Sequence, residues 1–417
     1  MLKWLLLAAI LIVIFAYGYL SSSQDGKELT IKAKQYVQIN LKKNWGIRAS
    51  VLRLMDATLE LLPPAALIPY QKDEVSVGFT PQSADFELSS LKAQKVHLVS
   101  NEKQLYQAAM QAKPGSVILI DEGEYRLTKR LSFRHNGTES KPIKLIGKTP
   151  QSVIFKVAVS EGLYLDKAFW QVKNIIFRGD CSSHSICEHA IHIYGDADGS
   201  VILNNQFINF NAAIKANGNY NSQPAKFADQ VIIKHNDFYN ESVRQTTTPA
   251  SPIDVVGGDN WLVDSNFIAD FTRKVDARIS VTYGAFFKGG GQHGVMTNNV
   301  VNCAWRIPYQ SSLDVRVGLS LGNGGTEKAF CQTSGCPYEH NNGKIMDNLI
   351  VNCRNDVSIY LNKAAATTIR GNAMFNSLGI DARFEQTSVV IDGNELDGRI
   401  RARDGAFVRI KDNRLLN

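Results

Sequence analysis

A recurring asparagine is the feature that most limits what this chain can fold into. Nine such residues follow one another at gaps of 31, 31, 30, 33, 49, 24, 22 and 19 residues. The residue two positions after each is apolar in all nine cases, although only 44% of the chain is hydrophobic. This repeat predicts a solenoid of stacked units. The nine are Asn174, Asn205, Asn236, Asn266, Asn299, Asn348, Asn372, Asn394 and Asn413.

Alternating apolar pairs recur in the strand that precedes each asparagine segment. Side chains two residues apart in a strand share one face, so these pairs should point inward. Units of about 20–30 residues are too short for crossovers that contain a helix, so an all-β parallel β-helix is predicted. Asparagine suits its bends because it tolerates left-handed backbone and can bond to stacked amides. The pairs are Ile191/Ile193, Ile214/Ala216, Ile253/Val255, Ala285/Phe287, Leu319/Leu321, Ile359/Leu361, Ile380/Ala382 and Ile400/Ala402.

Three regions are predicted: a signal or anchor segment at 1–22, a partly helical spacer at 23–95 and the β-helix at 96–417. The apolar stretch from Trp4 to Leu20 indicates an export signal retained as a membrane helix, with cleavage as the alternative. Retention would give a periplasmic protein anchored to the inner membrane, and cleavage a secreted one. Within the spacer, Trp45 to Leu62 reads as an amphipathic helix. A helix from Asn101 to Ala112, with Ser100 or Asn101 as N-cap, should cap the first coil.

Export would permit disulfide bonds among the six cysteines, which allow 15 pairings. Local spacing favours Cys181 with Cys187 and Cys331 with Cys336, which leaves Cys303 for Cys353. Free buried thiols are the alternative.

The charge balance indicates an acidic partner. The chain has 46 Lys and Arg against 39 Asp and Glu, a net charge of +7. A uronate polysaccharide or anionic lipid headgroups would suit that charge. No basic run is dense enough to indicate nucleic acid.

The same alternation assigns outward residues to two columns, with neighbours about 4.8 Å apart. Their cations and ring-bearing side chains suit an extended acidic chain. Pairing of the arginines with nearby aspartates, and simple stacking of the tyrosine, are the alternatives. The predicted substrate-binding residues are Lys215, Asn217, Tyr360, Asn362, Arg383, Arg401 and Arg403.

Candidate catalytic residues concentrate near the middle coils. Tyr283, Lys288 and His293 fall in one segment, where three glycines follow the lysine and permit close approach of a sugar. Arg316 enters the next coil. The 49-residue gap holds an insertion that carries His340 and should overhang the sheet. A solvated lysine and turn histidines bonded to backbone remain the alternatives.

With these features the chain resembles the pectate-lyase-like right-handed parallel β-helix superfamily, and its entry at 96–155 looks like that of chondroitinase B and alginate lyase-type enzymes. The motifs are Pro114-Gly115, the segment 122–125 and Pro142-Ile143. The resemblance implies a lysine base, matched by Lys288, and an arginine one coil on, matched loosely by Arg316. It also implies calcium held by acidic side chains, for which Asp254 is the main candidate, with Asp259 or Glu339 beside it.

The function expected from this resemblance is lyase-like cleavage of an acidic polysaccharide by β-elimination. Lys288 would remove the proton at C5, and Arg316 or Ca²⁺ would neutralise the adjacent carboxylate. Tyr283, His293 or His340 would protonate the leaving oxygen. A glycan-binding or envelope-scaffold protein without catalysis is the alternative, as is a hydrolase or epimerase on the same fold. A hydrolase would need two carboxylates about 5–9.5 Å apart.

Overall fold

The computed structural model describes residues 67–70, 72, 77–80, 95–276, 279–323 and 325–416. The predicted helices at Trp4 to Leu20 and Trp45 to Leu62 lie outside these residues. Within them, no helix has the length and apolar character needed to span a membrane.

The described chain is dominated by short strands. One α-helix, α1 (Glu102–Gln111), and one 3₁₀ turn (Lys328–Phe330) stand among them. The strands of the first half are β1 (Val96–Val99), β2 (Val117–Ile120), β3 (Gly123–Leu127), β4 (Leu131–Ser132), β5 (Ile143–Gly147), β6 (Val153–Val157), β7 (Glu161–Leu165), β8 (Trp170–Lys173), β9 (Ile176–Gly179), β10 (His189–Tyr194), β11 (Val201–Leu203), β12 (Gln206–Ile208), β13 (Ile214–Asn217), β14 (Ile232–Lys234), β15 (Asp237–Tyr239), β16 (Ile253–Val256), β17 (Leu262–Asp264) and β18 (Phe267–Ala269). Those of the second half are β19 (Ser280–Lys288), β20 (Gly291–Gln292), β21 (Val295–Thr297), β22 (Val300–Asn302), β23 (Asp314–Leu321), β24 (His340–Asn341), β25 (Lys344–Met346), β26 (Leu349–Val351), β27 (Ile359–Asn362), β28 (Ala364–Ala365), β29 (Thr367–Arg370), β30 (Ala373–Phe375), β31 (Gly379–Arg383), β32 (Ser388–Asp392), β33 (Glu395–Leu396), β34 (Arg399–Arg403), β35 (Phe407–Lys411) and β36 (Arg414–Leu415).

Three long sheets run the length of the molecule, and most coils give one strand to each sheet. The first has 12 strands from β1 to β35, the second 10 from β4 to β34, and the third 11 from β3 to β36. A small sheet joins β20, β24 and β28. Neighbouring strands within each sheet pair in parallel, as in β10 with β13 and β13 with β16. The predicted parallel β-helix is confirmed.

The core fills the interior of the coils, as the alternation predicted. Ile191 pairs with Ile214, Ile214 with Ile253, and Ile253 with Ala285, and the series continues to Ile400. Most of these side chains are fully buried. Ile400 and Ala402, in the last coil, are partly or largely exposed.

Asparagine side chains on successive coils form a ladder of hydrogen bonds. The predicted first member, Asn174, does not occupy a ladder position. The Asn299 side chain donates from Nδ2 to Asn348 Oδ1 at 2.9 Å, and it accepts from Asn266 at 3.0 Å. The ladder runs from Asn205 to Asn413. At its start Ile175, not Asn174, donates its backbone N–H to Asn205 Oδ1. Asn174 instead has φ +61°, because the left-handed residue comes just before each ladder position.

Helix α1 caps the open first coil, as predicted. Asn101 is its N-cap and accepts a hydrogen bond from Gln104 N at 3.0 Å. Leu105, Ala108 and Ala109 are buried against the first strands. The helix thereby covers apolar core that would otherwise meet water.

All three predicted disulfides are present. Cys181 bonds Cys187, Cys331 bonds Cys336, and Cys303 bonds Cys353 across neighbouring coils.

A strap, formed by the described residues between 67 and 80, lies on the outside of the third sheet. Thr80 N donates to Asn204 Oδ1 and Phe79 N to Asp237 Oδ1, both at 2.9 Å. Further back along the chain, Tyr70 stacks on Phe267 with centroids 5.7 Å apart, and Ile68 N donates to Asn352 Oδ1. From residue 67 to residue 80, the strap therefore runs from a late coil to an early coil, opposite to the order in which the coils follow in the chain.

Candidate functional site

The outer face of the second sheet carries the predicted columns in register. His192 pairs with Lys215, Lys215 with Asp254, and Asp254 with Phe286. The series then passes through Ser320, Tyr360 and Asp381 to Arg401. Phe286 and Ser320 are buried in the middle of this face. The predicted strip is thus divided into two polar clusters. The first lies around Lys215, Asp254 and Lys288, and the second lies around Tyr360, Asp381 and the arginines of the last coils.

Lys288 lies at the end of β19 in the first cluster, beside Val256 of the preceding coil. Within the described chain its ammonium has no hydrogen bond or ion pair, and it lies 5.4 Å from the centre of the Phe286 ring. Burial lowers the pKa of Lys288, and nearby Lys215 lowers it further, while Asp254 and Glu339 raise it. A lysine in this state gives up its proton more readily than a solvated one.

The position one coil on from Lys288 is Gly322, not an arginine. Gly322 N donates to Phe287 O at 2.7 Å, and Phe287 pairs with Leu321. Its φ is +79°, and an added Cβ would lie 2.0 Å from Asn362 O. No side chain fits there without a backbone shift, so no cationic side chain stands one coil on from Lys288 in its column.

Arg316 is a correction to the prediction, because it pairs with Thr282 near the start of β19. Its side chain is fully buried. The guanidinium donates to Cys303 O at 2.7 Å, Ile307 O at 2.8 Å and Asp314 Oδ2 at 2.8 Å. These bonds hold the loop after β22, so Arg316 is not placed to touch a substrate beside Lys288.

The three predicted proton donors are also not gathered around Lys288. Tyr283 is 8% exposed and packs on Phe286, and burial raises its pKa. His340 is buried and accepts from Gly294 N at 3.1 Å, and burial lowers its pKa to about 3. His293 is exposed on the turn after β20, with φ +58°. The catalytic roles predicted for Tyr283 and His340 conflict with their burial.

The acidic residues suggested for calcium already have protein partners. Asp254 forms an ion pair with Lys215 at 2.7 Å. Asp259 accepts from Gln292 and Gln332, and Glu339 accepts from Gly289 N and Thr326. In the described residues no group of three or more His, Cys, Asp or Glu side chains could hold a metal ion. The predicted metal role of Asp254 does not fit this arrangement.

The insertion at 325–339 is bonded to the turns that follow β16 and β19, beside Lys288. Gln332 N donates to Gly289 O at 2.7 Å, and its side-chain oxygen accepts from Gly258 N at 2.5 Å. The Glu339 carboxylate accepts from Gly289 N at 3.1 Å. These bonds fix the insertion to the coil that carries the lysine.

The second polar cluster, on the last coils, is largely paired internally. Arg403 donates to Asp381 through two nitrogens, and Arg383 Nε lies 2.5 Å from Asp404. Tyr360 hydrogen-bonds Arg383, and the buried Asn362 donates from Nδ2 to the Tyr360 hydroxyl at 3.4 Å. Arg401 pairs in register with Asp381, and burial and Arg403 lower its pKa. The alternative to substrate binding, pairing with aspartates, is therefore present for Arg383 and Arg403, although both keep exposed surface.

A third group on the same face was not predicted as a site. His192 Nδ1 lies 2.7 Å from Glu161 Oε1, and this bond is the main reason that the pKa of Glu161 falls to about 2. Arg130 also reaches Glu161 and lies over the Tyr164 ring. The outward position of His192 was visible in the column, but its carboxylate partner lies on a coil that lacks the asparagine signal.

Comparisons with solved structures give matches of low identity. Two structures of the PL6 family alginate lyase AlyGC have TM-scores of 0.41, with 13% and 17% identity. They cover 75% and 76% of this chain, which spans 53% and 40% of theirs. A GH136 lacto-N-biosidase from Eubacterium ramulus has a TM-score of 0.48 and 10% identity, covering 77% of this chain and 68% of its own. No curated protein matches the chain.

A comparison with protein families matches residues 99–399 to the family described as chondroitinase B. The match takes in more than half of the chain and nearly all of the coils. The chain belongs to the chondroitinase B family.

Proposed function

We propose that the chain is a polysaccharide lyase that cleaves an acidic, uronate-containing polysaccharide by β-elimination, with Lys288 as the base. The observation that carries the proposal is a half-buried lysine without an ion pair, whose pKa is lowered by burial. Family membership supports a lyase-like activity on polysaccharides. A neutral amine is the form that can accept a proton from carbon.

In the proposed reaction the Lys288 amine takes the proton from C5 of a uronate. The electron pair of the C–H bond forms the C4–C5 double bond, and the C4–O bond breaks toward the leaving sugar. The ammonium formed on Lys288 then carries the proton that the leaving oxygen needs. One residue serves both steps if the proton and the leaving oxygen lie on the same face of the sugar.

Cations along the strip would hold the substrate. Lys215 forms an ion pair with Asp254, but its ammonium has three N–H donors, so others can bind a substrate. Asn362, Arg383 and Arg403 follow Lys288 along their column by about 10, 14 and 19 Å at one coil per 4.8 Å. The exposed donors of Arg383 and Arg403 would bind carboxylates of more distant sugars, while the buried Asn362 supports Tyr360.

A glycan-binding protein without catalysis is the second candidate. Gly322 stands where the family resemblance implies an arginine, and the acidic residues near Lys288 do not form a calcium site. A hydrolase is less well supported because Asp254 and Asp381 are each paired with a cation. They are also about 19 Å apart, at four coils of 4.8 Å.

Ultraviolet absorbance of the unsaturated uronate product tests the proposal with alginate, pectate and glycosaminoglycans. We expect absorbance to grow with the wild-type chain and to fall at least 100-fold in Lys288→Ala, as for loss of a general base. Lys344→Ala, an exposed lysine on another sheet, should behave as wild type. Full activity in Lys288→Ala would rule out the assignment, and binding without absorbance would favour the second candidate.

We also propose that the chain is exported and acts outside the cytoplasm. Three disulfides support this, because such bonds persist in oxidising compartments. Cell fractionation, followed by alkylation of each fraction with and without prior reduction, would test it: an exported chain should label only after reduction, and a cytoplasmic chain that labels without reduction would contradict the proposal.

A further inference from the structure

Three aromatic rings form a continuous cluster on the side of the strip that carries Lys288. Phe227 and Tyr220 meet edge to face with centroids 5.8 Å apart, and Tyr220 meets Phe330 at 5.2 Å. The Tyr220 hydroxyl donates to Phe330 O at 3.3 Å. The rings come from two loops, one after β13 and the other in the insertion at 325–339.

Close contacts place this cluster beside the lysine column. The Phe227 ring lies against Gly218 and Gly257, where an added Cβ would come within 2.4 and 2.1 Å of it. These glycines directly follow Asn217 and Val256, which precede Lys288 in the column. The side chain of Asn217 also hydrogen-bonds Tyr220.

Phe330 is attached to the Lys288 coil from the other side. It lies two residues before Gln332, whose backbone N–H donates to Gly289 O. Despite its ring contact with Tyr220, Phe330 remains 44% exposed. Together with Tyr220 and Phe227 it forms a partly exposed apolar patch beside polar side chains, which is a feature of ligand-binding grooves.

We propose that Phe330, supported by Tyr220, is a stacking subsite for a pyranose ring of the acidic polysaccharide bound along the Lys288 column. This inference rests on the proposed function, because it assumes that an acidic sugar chain lies over Lys288. A pyranose presents C–H groups on its faces and a uronate carboxylate at its edge. The Phe330 ring, held by Tyr220, matches the apolar face of the sugar, and the cations of the strip match the carboxylate at its edge.

The test compares two exposed aromatic residues of the same insertion. Phe330→Ala should weaken binding of an oligouronate roughly 3-fold to 10-fold, the effect of one aromatic contact. Tyr338→Ala is the matched control, because Tyr338 is 40% exposed and has no ring contact within the described chain. Phe330→Trp should retain affinity. Calorimetric titration of each variant, with and without Lys288→Ala, measures binding separately from turnover, and thermal unfolding verifies the fold.

The results separate this proposal from the lyase assignment. Weaker binding in Phe330→Ala, with KM raised and kcat within twofold of wild type, supports the subsite. If no unsaturated product forms but binding still depends on Phe330, the subsite holds and the lyase assignment fails. Equal affinity of Phe330→Ala and Tyr338→Ala would overturn the subsite while leaving the lyase assignment intact. If the wild-type chain binds none of the acidic polysaccharides, both proposals fail.

Discussion

Two cations on neighbouring coils, Arg316 and Lys288, are held in opposite ways. Arg316 has a carboxylate and three backbone carbonyls as partners and is fully enclosed. Lys288 is only half-buried and has no such partner in the described chain, so the cost of desolvation appears as a lowered pKa. The arginine thus fixes a loop, while the lysine is left in a state suited to proton transfer.

The lowered pKa of Lys288 predicts a pH dependence. Proton removal needs the neutral amine, so kcat/KM should rise with pH and level off above the pKa of Lys288. That midpoint should fall below the ordinary lysine value of 10.5. Initial rates of absorbance growth across pH, with enzyme stability verified at each point, measure it. A midpoint at 10.5 or higher would contradict the role given to burial.

At the scale of elements, the asparagine ladder links successive coils through buried amides. Asn299 bonds with both neighbouring ladder residues and with Val263 O and Thr297 O, all within 3.0 Å. Because each amide both donates and accepts, removing one leaves buried groups unpaired on two coils.

We therefore expect Asn299→Ala to lower the free energy of unfolding by about 3 kcal/mol, from two or more buried groups at 1–3 kcal/mol each. Asn413→Ala is the control, because that residue ends the ladder and is partly exposed, so water can replace its bonds. We expect it to cost about 1 kcal/mol. Denaturant unfolding compares the two variants, and equal losses would argue against the ladder as a source of stability.

The asparagine ladder and the core register could be predicted from the sequence, but the positions of Asn174 and Arg316 could not. Period-two alternation sets the faces of β10 to β34, so the inward pairs followed directly. Left-handed and ladder positions are adjacent and both favour asparagine, as in Asn204-Asn205 and Asn298-Asn299. Asn174 occupies the first kind, and the spacing could not separate the two. Arg316 was misplaced because β19 and β23 both begin several residues before their inward pairs, so Arg316 lies opposite Thr282 and not beside Lys288.

At the scale of the whole molecule, the strap couples coils that are distant in the stack. Asp237 is fully buried and accepts from Phe79 N and from Gln206, and it forms an ion pair with Lys72. Burial raises the pKa of this carboxyl group, which the Lys72 ammonium opposes. The strap thus shares one buried ionic contact with the outer face of β15.

Asp237→Ala should release the strap, because it leaves the Lys72 ammonium and the Phe79 N–H without their acceptor. We expect a loss of about 3 kcal/mol in unfolding free energy, as for a broken buried ion pair. Limited proteolysis should then cut between residues 67 and 80. Asp196→Ala, which removes an exposed pair with Lys226, should change stability by less than about 1 kcal/mol. Unchanged protection of the strap in Asp237→Ala would contradict this account.

The whole fold was therefore more predictable than the site. Stacked coils repeat the same packing problem, so each repeat adds to one signal, and the disulfide between Cys303 and Cys353, predicted as the remaining pair, joins neighbouring coils. The site depends on individual residues that do not recur from coil to coil, such as Gly322 and Phe330. Nothing in the repeat constrains these residues, since they lie where the coils are irregular.

The direction of the strap has a consequence for how the molecule is assembled. Its residues are synthesised before any coil, yet their partners extend from Asn204 to Asn352. If the solenoid folds from its capped end, the strap cannot form all its bonds until the coil that carries Asn352 has folded. Closure of the strap is therefore a late step, which can finish only after most of the chain has been made.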